Sequence, residues 1–181
     1  MRYQVSRARL STATKILKVN HAGEHGAVQI YRAQMLVARY WMPSLMAQLQ
    51  HFRGDEERHR EIFWQAIVRR HGVKCRSYWL CAVGGWFLGF VSALLGVRGV
   101  MACTYAVESV VVAHLHEQLA FLKSQCDDDA FETVQAILRD EENHRDFGAS
   151  LGQSTLYAPL RWLIGGFTEL VILWECDEAG E

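Results

Sequence analysis

Hydrophobic residues recur every three or four positions along four long stretches of the chain, which is the spacing of one face of an α-helix. The first stretch ends before Pro43 and the second ends near Gly72. Two further stretches follow an apolar segment, and three aspartates at 127–129 separate them and suit the start of a helix. With only two prolines in the chain, the pattern predicts an all-α protein built on four long helices.

Charged side chains interrupt these four apolar stripes at positions where core residues are expected. Two similar strings carry most of them, Asp-Glu-Glu-Arg-His at 55–59 and Asp-Glu-Glu-Asn-His at 140–144. A lone glutamate, Glu24 or Glu108, lies on the helix before each string. Burying a charge is unfavourable unless it is paired or bound to a metal. We therefore expect the four helices to meet around a polar site.

The Glu-x-x-His spacing places a carboxylate and an imidazole on one helix face, because positions i and i+3 are neighbours there. Four glutamates and two histidines in this order are typical of a di-iron or di-manganese four-helix bundle. Oxygen-rich ligation with one imidazole per metal favours iron or manganese over zinc. The predicted ligands are Glu24, Glu56, His59, Glu108, Glu141 and His144. Glu56 and Glu141 are the expected bridges between the two metals.

Three residues beside these ligands are candidates for an outer layer of the site. Asp55 and Asp140 each precede a predicted bridging glutamate and can accept a hydrogen bond from a ligand imidazole. The other interpretation of both aspartates is that they are solvated helix charges. His114 lies one position off the stripe of its helix, and either an outer-layer role or a partly exposed polar contact fits it.

Four other ionisable residues near the motifs are not counted as ligands. Glu57 and Glu142 lie two residues before a histidine, which turns them towards another helix face. His25 directly follows Glu24 and is rotated away from it by about 100°. His21, one turn before Glu24, is interpreted as a core histidine, although it is close enough to close the site.

The two halves of the motif form an internal repeat, about 12–72 and 98–152, within one domain that covers residues 1–181. The uncharged segment 77–97 connects them, and it reaches the roughly 20 residues needed to cross a bilayer. One crossing would place the half-sites on opposite sides of the membrane. We therefore expect a crossover helix along the bundle, with one face in the lipid interface or, alternatively, buried in the core. A further apolar helix is expected at about 156–175.

The charge distribution bears on the partners of the chain. The formal net charge of -1 gives no argument for a nucleic-acid partner. The first 20 residues, however, carry five basic side chains and no acidic one, at Arg2, Arg7, Arg9, Lys15 and Lys18. Such a segment suits anionic lipid headgroups, and it equally suits the solvated start of a helix.

Three strings of the sequence also carry a family resemblance. The string Asn-His-Ala-Gly-Glu-His-Gly-Ala at 20–27 resembles the first helix of the demethoxyubiquinone hydroxylases, which are ferritin-like di-iron proteins. The run 94–104, which leads into Ala-Val-Glu at 106–108, and the start of the last motif at 139–142 are similar to the same family. The resemblance extends over roughly residues 14–175.

This resemblance implies a ferritin-like four-helix bundle with a long crossover helix and an additional apolar C-terminal helix. It implies a di-iron monooxygenase that hydroxylates the ring of a demethoxyubiquinol in ubiquinone biosynthesis, using dioxygen and electrons from NADH. The family ligands fall on the six residues selected above. The implied cofactor is two iron ions, and the implied partners are a polyprenyl quinone, a membrane lipid surface and other ubiquinone-biosynthesis proteins. The expected location is the cytoplasmic side of the cell membrane, or the matrix side of the mitochondrial inner membrane in a eukaryote.

The sequence departs from the family pattern at a few positions. Asn20 stands where the family usually has Asp, His25 where it has Tyr, and Leu115 where an aromatic residue is common. The last helix also lacks basic and tyrosyl residues that the family carries. These departures leave the metal ligands unchanged and concern electron delivery and the choice of quinone. Two other functions share the motif, a soluble ferritin-like ferroxidase or peroxidase, and a quinone- or lipid-binding protein with a relic metal site.

Overall fold

The computed structural model describes residues 12–152 together with 158–159, 161–166 and 168. Its long helices are α1 (Thr12–Trp41), α2 (Met46–Arg69), α3 (Tyr78–Leu94), α4 (Gly96–Ser124) and α5 (Asp128–Gly152). The described part of the chain contains no β-strand. The prediction of an all-α helical bundle is therefore confirmed.

The helix boundaries follow the turn residues of the sequence. A short 3-10 turn at Pro43–Leu45 separates α1 from α2, as expected from the proline. The second helix ends at Arg69, slightly before the predicted Gly72. Between α3 and α4 the chain turns at Gly96, whose φ of +76° strains any residue with a side chain. This turn makes α3 shorter than the apolar segment from which it was predicted.

Four helices form the bundle, and α3 lies outside it. Helix α1 pairs with α2 and α4 pairs with α5, while contacts of α2 with α5 and of α1 with α4 close the bundle. The crossover helix α3 packs along α1. A Cβ atom at Gly85 would lie 2.2 Å from the carbonyl oxygen of Gly26, and one at Gly89 would lie 2.2 Å from that of Ile30. Only glycine allows the two helix backbones to approach so closely.

Two apolar clusters lie on either side of a polar layer in the bundle. One cluster includes Leu17, Phe63, Leu119, Leu122 and Ile137. The other includes Val37, Leu49, Phe52, Val100 and Met101. In each bundle helix the predicted metal ligands lie between residues of the first cluster and residues of the second. The candidate site is therefore held in the middle of the bundle by rigid helices.

Helix α4 is long and apolar enough to cross a membrane by length and composition alone. Just over half of its most apolar stretch is buried in the protein, and it carries Glu108 into the bundle. We therefore interpret α4 as a core helix. The predicted C-terminal helix at 156–175 falls largely outside the described residues, although residues 161–166 within it are helical. The three arginines of the basic N-terminal segment also lie outside them.

Candidate metal centre

The structure brings all six predicted ligands together in the polar layer. Helix α1 contributes Glu24, α2 contributes Glu56 and His59, α4 contributes Glu108, and α5 contributes Glu141 and His144. Each of the six residues is 5% exposed or less. The helical repeat places them on the inner faces of four helices, so the site needs no loop to form.

Two overlapping groups of donor atoms lie within this layer. Glu24, Glu56, His59 and Glu141 form one group, and Glu56, Glu108, Glu141 and His144 form the other. Within each group the candidate ligand atoms lie within 4.8 Å of one another. The groups share Glu56 and Glu141, the two residues for which a bridging position was predicted. Two adjacent cations sharing two carboxylates would fit this arrangement.

The donor atoms approach one another closely without forming hydrogen bonds. Nδ1 of His59 lies 2.8 Å from Oε1 of Glu141, and Nδ1 of His144 lies 3.1 Å from Oε1 of Glu56. These four atoms are buried, and the structure gives none of them a hydrogen-bond partner. Buried polar atoms are rarely left in this state. Their chemistry, carboxylate oxygen with imidazole nitrogen, fits a pair of iron or manganese ions.

The buried carboxylates strongly affect one another's protonation in the chain without a cation. Burial raises the pKa of Glu24 well above its ordinary value, and repulsion from Glu141 and Glu56 adds to the effect. Burial and the same two neighbours also raise the pKa of Glu108. Burial lowers the pKa of His59, but the contacts with Glu141 and Glu56 outweigh it and raise that pKa to about 10. Protons therefore compensate the negative charge, and divalent cations can replace them.

Asp55 and Asp140 hold the outer nitrogens of the two histidines in an exchanged arrangement. Oδ2 of Asp55 lies 3.1 Å from Nε2 of His144, and Oδ2 of Asp140 lies 3.1 Å from Nε2 of His59. Each aspartate therefore supports the histidine of the other half of the repeat. A proton on Nε2 leaves Nδ1 free to face the glutamates, which is the tautomer that a metal ligand needs.

Two further residues contact the site although the sequence pattern did not indicate a functional role for them. The buried hydroxyl of Tyr31 donates a hydrogen bond of 3.1 Å to Oε1 of Glu108. Arg58 donates hydrogen bonds to both Asp55 and Asp140. Tyr31 follows Glu24 by seven residues and shares its helix face, which was a usable signal. Arg58 could have been singled out in another way, because it occupies the one position at which the two motif strings differ.

The residues excluded as ligands lie away from the donor atoms. Glu57 accepts a hydrogen bond of 3.1 Å from Arg32 at the surface. Oε1 of Glu142 lies 3.5 Å from Nε2 of His116. His21 is buried with its ring stacked on Tyr78 at 4.9 Å, so it is a core histidine.

The structure places His114 at the wall of a cavity and close to another ionisable group. Its ring is half-buried, and Nδ1 lies 3.9 Å from a carboxylate oxygen of Glu117 on the same helix. His114 also lines the apolar cavity beside the donor atoms. It hydrogen-bonds to none of the predicted ligands in any contact that the structure describes.

An apolar cavity of about 330 Å³ reaches the carboxylates from the side of α3. Its wall is formed by small and aliphatic residues of three helices, including Gly23, Ile30, Leu80, Gly84, Leu88, Val107 and Val111. Glu24, Glu56, Glu108 and Glu141 lie at its inner end. This volume falls within the range of about 300–1,000 Å³ that is usual for small-molecule sites. A molecule in the cavity would lie between α1, α3 and α4 and touch the carboxylates.

Comparison with known proteins identifies the family of the chain. A family model described as "Ubiquinone biosynthesis protein COQ7" matches residues 11–174. The chain belongs to this family. The match includes all four bundle helices, α3 and all six predicted ligands, so the COQ7 family relationship applies to the whole candidate site.

Individual relatives support the same conclusion. The chain is 32% identical over 163 residues to the "NADPH-dependent 3-demethoxyubiquinone 3-hydroxylase, mitochondrial" of Caenorhabditis elegans, covering 87% of this chain and 86% of that protein. It is 33% identical over 141 residues to the "3-demethoxyubiquinol 3-hydroxylase" of Rhodospirillum rubrum, covering 76% of this chain and 64% of that protein. The human relative, named like the nematode one, is 36% identical over 137 residues, with 74% of this chain and 62% of that protein covered.

The departures from the COQ7 family pattern surround the centre without altering its donor set. The side-chain amides of Asn20 and Gln118 exchange hydrogen bonds of 2.8 and 3.2 Å at the cavity wall. Burial, followed by the charge of Arg60, lowers the pKa of His25 to about 4, so its neutral ring accepts a hydrogen bond from that arginine. Leu115 is buried in an apolar cluster of the core.

Proposed function

We propose that this chain is a di-iron monooxygenase that hydroxylates the ring of a demethoxyubiquinol in ubiquinone biosynthesis. The observation that carries the proposal is that the four glutamates of the buried six-residue cluster lie at the inner end of an apolar cavity. The relatives named as 3-demethoxyubiquinone or 3-demethoxyubiquinol 3-hydroxylases support the substrate class. A soluble ferroxidase would need the carboxylates but not a long apolar approach to them.

The proposed cofactor is a pair of iron ions held by the six residues. Glu24 and His59 would complete the first ion, Glu108 and His144 the second, and Glu56 and Glu141 would bridge them. Bound in this way, iron supplies the activation of dioxygen, with one oxygen atom going to the ring and the other to water. The chain itself positions the donors, fixes the imidazole tautomers through Asp55 and Asp140, and keeps the surroundings dry.

The apolar cavity is the proposed site of the quinol ring. Its wall has few polar side chains, and apart from the carboxylates these include the Asn20–Gln118 pair and His114. A ring with several oxygen substituents needs such a small number of fixed polar groups for its orientation. Gly23 and Gly84 leave the cavity open beside the carboxylates. At each of them, a Cβ atom would have no atom of another element within 4 Å.

The membrane surface is the proposed source of the substrate. Trp79, Val83 and Phe87 lie four residues apart on α3 and are 70%, 69% and 66% exposed. The opposite side of α3 lines the cavity with Cys81, Gly85 and Leu88. Leu80, which is 55% exposed, lies beside the exposed stripe. Phe90, on the same helix, packs against a core cluster and does not belong to the exposed stripe. At 17 residues α3 is shorter than the roughly 20 that a spanning helix usually needs, and it packs along α1. We therefore propose peripheral binding on the cytoplasmic or matrix side.

The reaction needs two electrons from outside the chain. We propose that they come from a reduced pyridine nucleotide, with the quinone in the cavity relaying them to the centre. The apolar wall of the cavity suits a quinone and not a charged nucleotide. NADH is the reductant that the family resemblance implies, whereas several relatives are named for NADPH. Both nucleotides therefore belong in the test.

The experiment is a reconstitution of the iron-loaded protein on vesicles with a short-tailed demethoxyubiquinol analogue. Under air and with NADH or NADPH, we expect a product that is heavier by one oxygen atom in mass spectrometry. Under anaerobic conditions, nucleotide should reduce the ferric protein rapidly only when the quinone is present. Oxidation of added ferrous iron without any hydroxylated quinone would favour the ferroxidase function. Rapid reduction in the absence of quinone would exclude the relay.

A further inference from the structure

The internal repeat is broken at one position inside its motif. The two strings Asp-Glu-Glu-Arg-His and Asp-Glu-Glu-Asn-His differ only in that Arg58 in the first corresponds to Asn143 in the second. Both residues line a polar cavity of about 410 Å³ between α2 and α5, on a different side of the site from the apolar cavity. All ligands are duplicated, yet this cation is present once.

Arg58 joins the two halves of the site through a chain of hydrogen bonds. Its Nη1 donates to Oδ1 of Asp55 at 2.9 Å, and its Nη2 donates to Oδ2 of Asp140 at 2.7 Å. Each of these aspartates is also hydrogen-bonded to a histidine, Asp55 to His144 and Asp140 to His59. One guanidinium therefore touches both carboxylates that orient the two imidazoles.

The geometry of an arginine suits this position. Asp55 on α2 and Asp140 on α5 carry like charges and repel each other. Because the side chain of Asp140 is 35% exposed, its carboxylate has room to turn towards solvent. The planar guanidinium offers two donors at a set spacing and holds both carboxylates in one orientation. A second arginine at position 143 would bring another positive charge to the same two aspartates. One cation for two carboxylates explains why the repeat is asymmetric here.

We infer that Arg58 is a positioning residue for both halves of the metal centre, setting the orientation of His59 and His144 together through Asp140 and Asp55. This inference rests on the proposed metal centre and adds a residue to it. The competing interpretation is an ordinary ion pair at the surface, because the Arg58 side chain is 52% exposed and such pairs contribute little. The two interpretations predict different changes in metal affinity.

The test compares Arg58→Gln with Arg53→Gln. Arg53 lies on the same helix and its Nε is 3.6 Å from Glu57, so both variants remove one positive charge from α2. By Coulomb's law alone, losing a positive charge near a cation site strengthens cation binding. Loss of imidazole positioning instead weakens it, and removal of such outer partners typically costs about 10-fold in metal affinity. The two explanations therefore differ in sign.

The metal-free full chain is titrated with cobalt(II), which is a redox-stable substitute for iron(II). Binding is followed by calorimetry and by the visible absorption spectrum of the bound cobalt(II). For Arg58→Gln we expect both cobalt ions to bind about 10-fold more weakly, with Arg58→Lys recovering part of the loss. For Arg53→Gln the affinity should stay unchanged or rise slightly.

Three results would overturn the inference. These are unchanged or tighter binding by Arg58→Gln, weakening of one ion only, and lower thermal stability of the metal-free variant with unchanged cobalt affinity. The last of these would assign Arg58 a structural role alone. A wild-type protein that binds no pair of cobalt ions would overturn the metal centre itself, and so separates failure of the proposed function from failure of this inference.

Discussion

At the residue scale, the two nitrogens of each histidine have separate tasks. Nε2 of His59 and of His144 contacts an aspartate, while Nδ1 faces the glutamates without a hydrogen bond. Tyr31 adds a donor to Glu108 from a buried position. Burial, followed by the charge of Glu108, raises the pKa of Tyr31 well above its ordinary value, so its hydroxyl keeps the proton that it donates. Several side chains of the donor set are therefore oriented by contacts within the protein.

The first prediction separates a ligand from its neighbour in sequence. Glu56→Ala should lose both iron ions, because Glu56 belongs to both groups of donor atoms. Glu57→Ala should keep them, since Glu57 contacts Arg32 at the surface. Metal analysis after gel filtration measures the iron per chain, and circular dichroism checks that both variants remain helical. Equal iron loss in the two variants would mean that the ligand register proposed here is incorrect.

At the scale of elements, the position of α3 depends on the absence of side chains at its contact with α1. Gly85 and Gly89 are one helical turn apart and face the backbones of Gly26 and Ile30. Gly84, which directly precedes Gly85, has no atom of another element within 4 Å of its would-be Cβ. The glycines of this segment therefore have two functions, close helix packing at 85 and 89 and an open cavity wall at 84.

A second prediction uses this contrast. Gly89→Ala should destabilise the protein by about 1–3 kcal/mol, because the new methyl group overlaps the backbone of α1 and forces the helices apart. Gly84→Ala is the matched control, and it should be neutral or stabilise by up to about 1 kcal/mol from helix propensity. Urea unfolding followed by circular dichroism gives both values. Equal stability of the two variants would show that the α1–α3 contact is looser than described.

The joint between α2 and α5 depends on a charged pair. Arg70, which follows the last residue of α2, donates a hydrogen bond of 2.8 Å to Oδ2 of Asp127, and Asp127 also accepts from the backbone N–H of Ala130 in the first turn of α5. The bond from Arg70 lowers the pKa of Asp127, and the bond from Ala130 lowers it further. The predicted acidic start of α5 therefore also anchors the end of α2.

The third prediction concerns the pH dependence of this pair. A carboxyl with a lowered folded pKa stabilises the protein above its unfolded pKa of about 3.9, and the contribution is lost as pH falls through the lower folded value. Arg70→Gln should therefore destabilise by about 1 kcal/mol at pH 7, with a difference from the wild type that shrinks below pH ~4. Arg69→Gln, whose partner Asp129 is more exposed, is the control with a smaller effect. A difference independent of pH would point to packing of the Arg70 side chain instead.

At the scale of the whole molecule, three features follow one another in space from the bundle interior to one surface. These are the donor atoms, the apolar cavity and the exposed apolar face of α3. Helix α3 contributes to the last two, with one side lining the cavity and the other carrying exposed residues such as Trp79 and Phe87. The neighbouring Trp86 is less exposed than Phe87, and its ring stacks on that of Phe90 with the ring centroids 5.3 Å apart. A large exposed apolar face of this kind is typical of a membrane or protein contact.

The fourth prediction tests which surface meets the membrane. Val83→Asp/Phe87→Asp should release the protein from vesicles in a sedimentation assay while its iron content stays unchanged, because both side chains point away from the bundle. The control, Val68→Asp/Phe121→Asp, places the same charges on exposed apolar positions of α2 and α4 and should leave vesicle binding intact. If the α3 variant still sediments with lipid and the control does not, the membrane contact lies on another face.

The sequence by itself determined the helices and the residues that share their inner faces. Both follow from local geometry, since a helix fixes which side chains lie on the same side whatever it packs against. For this reason Glu24 and the two Glu-x-x-His strings could be selected as one site before any contact was known. The proline and glycine turns likewise indicated where the helices end to within a few residues.

Only the tertiary structure decided how the halves exchange partners. Sequence spacing placed Asp55 and Asp140 near an imidazole, but the choice of the opposite histidine depends on how α2 and α5 are rotated against each other. The bridging position of Arg58 and the contact of Tyr31 with Glu108 have the same origin. So does the role of Gly89, which is visible only against the backbone of α1. Helix rotation and distance result from the packing of residues far apart in sequence, and no local spacing encodes them.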